Sequence, residues 1–264
     1  MALCRDNATN YLAQLGYSVV RIPRENISPL DLVGRDRDQM RLGTLDQLLT
    51  NPGAALPAIT PDQVASQVSG QTSSKLRLGI GINVLGNVLG ALAGSQLAIG
   101  SAYQRARTIQ FEFTDVLIDN VEPLAMGQYL RDADVDVGNP VLDRYVMGKG
   151  QLFVITETLR AASITVKAES SSGTELSLDV PVIKQIAAGK LELDTSRASS
   201  GIVTYAGDTT LTFGFKCFRI GIDDGALALS AAAPNDVALA AGVGAPEHAL
   251  GSGLLELDEG GLVE

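Results

Sequence analysis

Residues 151–182 read QLFVITETLRAASITVKAESSSGTELSLDVPV, and their periodicity decides the fold class. Ile164, Val166 and Ala168 fall on one side of an extended chain, opposite Thr165 and Lys167. After the polar SSSG at 170–173, Leu176, Leu178, Val180 and Val182 alternate with Glu175, Ser177 and Asp179. Strand side chains point to opposite faces with period two, so each run predicts a strand with one apolar face. Two such runs joined by a short polar segment containing Gly predict a β-hairpin.

The pattern recurs on both sides of this stretch. KLRLGIGINV (75–84) sets Leu76, Leu78, Ile80, Ile82 and Val84 against Lys75, Arg77, Gly79, Gly81 and Asn83. RTIQFEFTD (107–115) sets Ile109, Phe111 and Phe113 against Gln110, Glu112 and Thr114, and Leu191, Leu193 and 209–217 continue the alternation. Upstream, residues 6–16 have helical spacing, YSVVRIPR (17–24) reads as a strand whose Pro23 marks an edge, and 44–49 reads as a short helix. Leu30, Leu32 and Val33 suggest a further strand, followed by a charged turn at RDRDQ. Together these predict an α+β fold, a twisted, mainly antiparallel central sheet with peripheral helices, rather than a βαβ series.

Composition narrows the function. The chain has 264 residues and a formal net charge of −10. Arg219 is its last basic residue, and eight acids follow, so residues 1–219 balance to −2. A near-neutral body with an acidic tail argues against nucleic-acid binding. Cys4 and Cys217 make no disulfide framework, no signal-peptide pattern precedes the body, and a cytoplasmic start is expected. His248, the single His, lies in the acidic tail, which removes His-rich metal sites and disfavours a Ser/Cys–His relay.

Enzyme motifs are missing. GIGINVLG departs from the GxGxxG spacing. DADVDVGNP (132–140) lacks both the sixth-position Gly and the twelfth-position Glu of a Ca²⁺ loop, so a solvated turn is expected there. No catalytic residue, metal ligand or cofactor is assigned, and the chain is not expected to be an enzyme.

Between Leu78 and Gln104 there is no charge at all, but six glycines and Asn83, Asn87, Ser95 and Gln96 interrupt the run. They favour a strand followed by a packed small-residue helix over a spanning helix. Alternating strands also have two physical uses. In a sheet with a solvated face the apolar side lies on a core; in a transmembrane barrel it faces lipid. One pattern serves both if something covers the apolar face in the first state.

CRDNATNYLAQLGYSVVRIPRENISPLDLV, followed by RLGTLDQLL, resembles the N-terminal signature of the bacterial gasdermins. The charge-free Gly/Ala segment before RTIQFEF and the acidic tail agree with that family. The resemblance implies a pore-forming domain at 1–233, a linker with a protease cut at 234–246, and an autoinhibitory peptide at 247–264. It implies that an activating protease, often caspase-like, cuts near Asp236, Val237 and Ala238, and that Leu254, Leu255 and Leu257 anchor the tail until then. The released part, monomeric while inhibited, would assemble with many copies of itself in the lipids of the inner membrane and kill the phage-infected cell.

The membrane strands would carry Leu76, Leu78, Ile80, Ile82, Ile109, Phe111, Phe113, Ile164, Val166, Leu176, Leu178 and Val180 in two hairpins, 75–116 and 152–183. Cys4 falls where the family carries a palmitoylated cysteine, and no other cofactor is implied. Proline at Ile80 or Val166 is expected to spare cleavage and abolish leakage. The competing class is a soluble binding or structural protein whose acidic tail regulates assembly.

Overall fold

In a computed structural model, the described residues run from 15 to 232, apart from 25, 37–38, 52–53, 67, 71, 73–74, 94–98, 132, 147–149, 172–175, 188–190 and 224–225. The strands are β1 (Ser18–Arg24), β2 (Asp31–Arg35), β3 (Gln39–Thr44), β4 (Leu49–Asn51), β5 (Ile59–Val64), β6 (Leu76–Arg77) and β7 (Thr108–Thr114). They continue with β8 (Leu117–Val121), β9 (Asp134–Val135), β10 (Gln151–Glu169), β11 (Glu192–Asp194), β12 (Ile202–Asp223) and β13 (Ala226–Ala231). The helices are α1 (Leu78–Ala93), α2 (Pro123–Arg131), α3 (Pro140–Val146) and α4 (Val180–Ala187). Residues 6–14 of the predicted helix, Cys4, the linker and the tail lie outside the described residues, and residues 15 and 16 form a turn.

The two longest strands, β10 and β12, pair antiparallel from Leu152↔Ile220 to Lys167↔Ile202 and form a central ribbon. The free edge of β10 is shared in sequence by β2, β8 and β7. The free edge of β12 takes β13, β1 and β11. β1 therefore lies at an edge, as Pro23 suggested. β2 and β3 form the hairpin around the charged turn, and a 3₁₀ turn spans Leu45–Leu48 where the short helix was expected.

The ribbon has two halves, and the sequence explains the difference. Leu152–Ile155 is an unbroken apolar run, and both faces are buried: Leu152 and Val154 pack with Met126, Tyr129 and Leu130 of α2 and with Leu142 and Tyr145 of α3, while Phe153 and Ile155 join Val20, Val33 and Phe215. From Ser163 onward residues alternate, and only one face is buried, through Ile164, Val166 and Ala168. Bulges lie between the halves, at Leu159/Arg160 and Ala161/Ser163.

Two expected strands are helices here. At 75–84 only Leu76–Arg77 is strand, and α1 begins at Leu78. Leu85, Val88 and Leu89 are spaced i, i+3 and i+4, the helical interval, and the helix turns them together onto the sheet, where each is buried. Its short N-terminal reach is fixed by Leu78, whose N–H donates to the carbonyl of Arg107 at 2.9 Å.

The second correction concerns 174–182. Residues 176–179 are irregular, and α4 starts at Val180. Asp179 accepts a hydrogen bond from the Val182 N–H at 3.3 Å, and Pro181 stands in the first turn. A capping Asp with Pro two residues on, inside the first turn, is a helix start, and here it outweighs the period-two pattern. Ile183 and Ala187, one turn apart, are the buried side.

DADVDVGNP supplies β9, which pairs with β4, and Asn139 caps α3 by accepting from the Val141 N–H at 3.0 Å. Among the described residues no His, Cys, Asp and Glu come together as a metal site. No described helix is long and apolar enough to cross a membrane.

Candidate functional site: a covered apolar face

The candidate site is the apolar face where β7, β10 and β12 run side by side. Register aligns Phe111, Val166 and Val203 in one row, and Phe113, Ile164 and Tyr205 in another. These strand residues, with Ile109 and Ala168, are covered by Leu85, Val88 and Leu89 of α1, by Ile99 and Tyr103, and by Ile183 and Ala187 of α4. The reverse side of the same strands is polar: Thr165 and Thr204 share a hydroxyl hydrogen bond at 2.7 Å, and Lys167 pairs with Glu169 at 3.3 Å.

Most predicted membrane residues converge on this face. Ile109, Phe111, Ile164, Val166 and Leu178 are buried in it, and Leu78, Ile82, Phe113, Leu176 and Val180 pack against it partly buried. Phe113 also stacks on Phe213 with ring centres 4.1 Å apart. Leu76 begins the two-residue strand and Ile80 lies in α1. Cys4, Asp236, Val237, Ala238, Leu254, Leu255 and Leu257 lie outside the described residues.

Three features hold the cover down. Gly81 backs directly onto β7: a Cβ there would sit 2.8 Å from the Ile109 Cβ. Tyr103 and Tyr205 bridge cover and sheet through a buried hydroxyl hydrogen bond at 2.6 Å, and burial pushes the Tyr205 phenol up to about 12. At the strand ends, Glu169 is paired with Lys75, just ahead of α1, and its carbonyl accepts from the Arg107 N–H at 2.8 Å.

A polar clamp marks the boundary between the two halves of the ribbon. Arg160 makes a two-point pairing with Asp119 of β8 and also reaches Asp62 of β5 at 2.7 Å and Thr210 of β12 at 2.6 Å. The Asp62 N–H donates to Asp119 Oδ1 at 2.9 Å. Burial works to raise the Asp119 carboxyl, but Arg160 and that N–H together hold it below its usual range. Glu157 accepts hydrogen bonds from the Tyr17 hydroxyl and from the Lys216 ammonium at 3.2 Å, and that ammonium lies 4.1 Å from the centre of the Tyr17 ring.

Sequence reasoning missed the Arg160 clamp, the tyrosine pair and the Gly81 contact. Only the first left a visible signal: Arg160 is a lone cation in a run that is otherwise apolar or neutral from Leu152 to Val166, Glu157 excepted.

Comparison with known proteins places this architecture. The family model described as the Bacterial Gasdermin Family matches residues 20–226. The chain is 46% identical to a gasdermin of Vitiosangium sp. over 265 aligned residues, covering 100% of this chain and 98% of the relative. It is 34% identical to a gasdermin of a Desulfuromonadales bacterium, covering 84% of each. The fold matches the structure of a bacterial gasdermin from Bradyrhizobium tropiciagri with a TM-score of 0.61 at 22% identity, covering 86% of this chain and 91% of the other. The chain belongs to the bacterial gasdermin family.

Proposed function

We propose that this chain is a protease-activated pore-former that is held closed by its own C-terminal peptide. Family membership makes it a pore-forming cell-death effector, acting through membrane-embedded oligomers rather than as an enzyme. The finer reading is that a cut in 234–246, near Asp236, Val237 and Ala238, frees residues 247–264 with their anchors Leu254, Leu255 and Leu257. The body then moves from the cytoplasm to the inner membrane, and its death-inducing leak serves defence against phage. A palmitoyl chain on Cys4 would add a second membrane signal, since each buried CH₂ contributes about 0.8 kcal/mol.

The observation that supports this reading best is the covered apolar face. Its strands have lipid-compatible alternation, and their cover, α1 and α4, opens in sequence that alternates like a strand as far as Val84 and Val182. Single strands cannot enter hydrocarbon with unpaired backbone groups, so many copies must close a barrel together. Loss of an acidic tail also lowers net negative charge, which eases approach to anionic lipid.

The test is to remove the residues after Asp236 and to measure dye release from liposomes and host viability. Leakage and lethality that the full chain lacks are expected. A truncated protein that stays monomeric and harmless would overturn the reading in favour of a binding protein with a regulatory tail. Intact mass and hydroxylamine sensitivity of protein from its native host test Cys4.

A further inference from the structure

We propose that β13 of one copy pairs with β3 of the next at the membrane-distal end of the assembled pore. This rests on the pore-forming reading above and adds to it the surface through which neighbouring bodies meet.

The covered apolar face occupies the Ser163–Glu169 half of β10, so on that reading the Leu152–Val154 end lies away from lipid. There the sheet runs β13, β12, β10, β2, β3. Among the described residues β13 pairs with β12 alone and β3 with β2 alone, so both are open edges. At mid-height the open edges are β1, beside β12, and β5, beside β8.

Exposed edges invite other strands and are commonly blunted by proline, bulges or charge. The mid-height edges are blunted. Pro23 stands in β1, whose register shifts between Val19 and Arg24. Pro61 stands in the irregularity of β5 between Thr60 and Gln63, next to Asp62 at φ 59°. The distal edges are not blunted. β13 reads ALALSA, without charge or proline. β3 carries one charge, Arg41, which the Asp31 carboxylate neutralises at 2.7 Å.

The free backbone groups of β13 can be located. The Ala232 N–H donates to the Cys217 carbonyl at 3.3 Å, and bonded pairs alternate along an antiparallel ladder. Leu227, Leu229 and Ala231 therefore turn their N–H and C=O groups away from β12, where no described strand meets them.

The two edges match in height, direction and chemistry. Register sets Ala231 level with Phe218, Val154, Leu32 and Gly43, and it sets Leu229 level with Ile220, Leu152, Gly34 and Met40. β13 and β3 both run parallel to β10, each through one intervening antiparallel strand. Copies standing side by side in one orientation thus bring Leu229 of one opposite Met40 of the next, in a parallel pair. Leu227 and Leu229 pack on the face covered by α2 and α3, and Leu42 packs on that face at the other edge. Beside Leu42 a groove of about 250 Å³ opens between β3 and α3, with Leu142 buried in it and Val141 exposed. The contact joins two different surfaces, the head-to-tail kind that closes rings.

Charge protects the uncut chain. Six acids follow β13 in 233–264 with no Lys or Arg among them, and Asp46 and Asp143, next in sequence to the groove residues Gln47 and Leu142, are exposed. Like charges brought together at this edge oppose pairing, and a cut in 234–246 removes most of the six.

The experiment uses the full chain with a site-specific protease sequence between Pro234 and Pro246, cleaved on phosphatidylglycerol/phosphatidylethanolamine liposomes. A photoreactive benzophenone side chain replaces Ala231, which is exposed. Illumination of the cleaved sample is expected to give a ladder of covalent oligomers whose adducts map to 40–44 or 139–142, whereas the uncut chain gives none. A second variant, Ala231→Pro, removes an outward N–H and no bond within the copy. Its urea midpoint should hold while its leakage slows about tenfold, the effect of one hydrogen bond lost at each contact. Leakage with adducts confined to other segments overturns the proposal, as does full-rate leakage from Ala231→Pro. No leakage from the parent cleaved chain overturns the pore-forming reading itself.

Discussion

Asp119 and Arg160 face each other across β8 and β10 in a two-point pairing, Nε to Oδ2 at 2.6 Å and Nη2 to Oδ1 at 2.8 Å. Their side chains are only 13% and 19% exposed, and the pair sits where the two-sided half of the ribbon gives way to the one-sided half. Removing one partner leaves the other charged and largely desolvated, which is the expensive way to break such a pair. Arg160→Ala and Asp119→Asn should each lower unfolding free energy by on the order of 3 kcal/mol, read as a shift in urea midpoint.

Asp119 also makes stability depend on pH. Its folded carboxyl is held below the ordinary range, so its contribution is present above the unfolded value and is lost as pH falls through the folded one. From about pH 4 downward, the urea midpoint of the parent should fall more steeply than that of Asp119→Asn. Parallel curves for the two proteins would show that the pairing does not stabilise the fold.

Two glycines of α1 should respond oppositely to alanine. At Gly81 the new Cβ would lie 2.8 Å from Ile109, forcing helix and strand apart, whereas at Gly86 nothing lies within 4 Å. Gly81→Ala should destabilise the closed form by about 1–3 kcal/mol and shorten the lag before liposome leakage after cleavage. Gly86→Ala should stabilise the helix by up to about 1 kcal/mol and lengthen that lag. Equal lags would separate the α1 contact from the activation step.

The tyrosine pair should be non-additive. Tyr103→Phe or Tyr205→Phe leaves one buried hydroxyl without its partner, costing about 1–3 kcal/mol, while the double variant removes both and should recover most of that loss. A thermal-unfolding double-mutant cycle measures the coupling. Additive losses would mean that the 2.6 Å contact contributes nothing of its own.

Proline separates the two conformations at one position only. Val166 is paired on both edges, to Phe111 and Val203, so proline there should break the closed fold itself, contrary to the expectation from sequence. Ile80 stands in the first turn of α1, where its N–H has no intrahelical partner. Ile80→Pro should leave the unfolding midpoint nearly unchanged and still abolish leakage. Full leakage from this variant would remove 78–93 from the membrane hairpin.

The sequence alone determined the sheet. Period-two alternation in 107–115, 163–169 and 209–217 located β7, β10 and much of β12, because a half-buried strand must repeat every second residue. The N-terminal signature, together with the acidic tail, carried the family. Tertiary structure decided what became of 78–93 and 176–187. Both stretches open on period-two alternation, ending at Val84 and Val182, and continue in helical spacing, Leu85, Val88 and Leu89 in the first and Ile183 and Ala187 in the second, so local pattern points both ways. The sheet chose. With Ile109, Phe111, Ile164 and Val166 on one face and no membrane to meet them, burying that face under two helices releases more water than leaving two longer strands bare. The Arg160 clamp is tertiary for the same reason: Asp62, Asp119 and Thr210 are distant in sequence, and only the crossing of four strands brings them to one guanidinium.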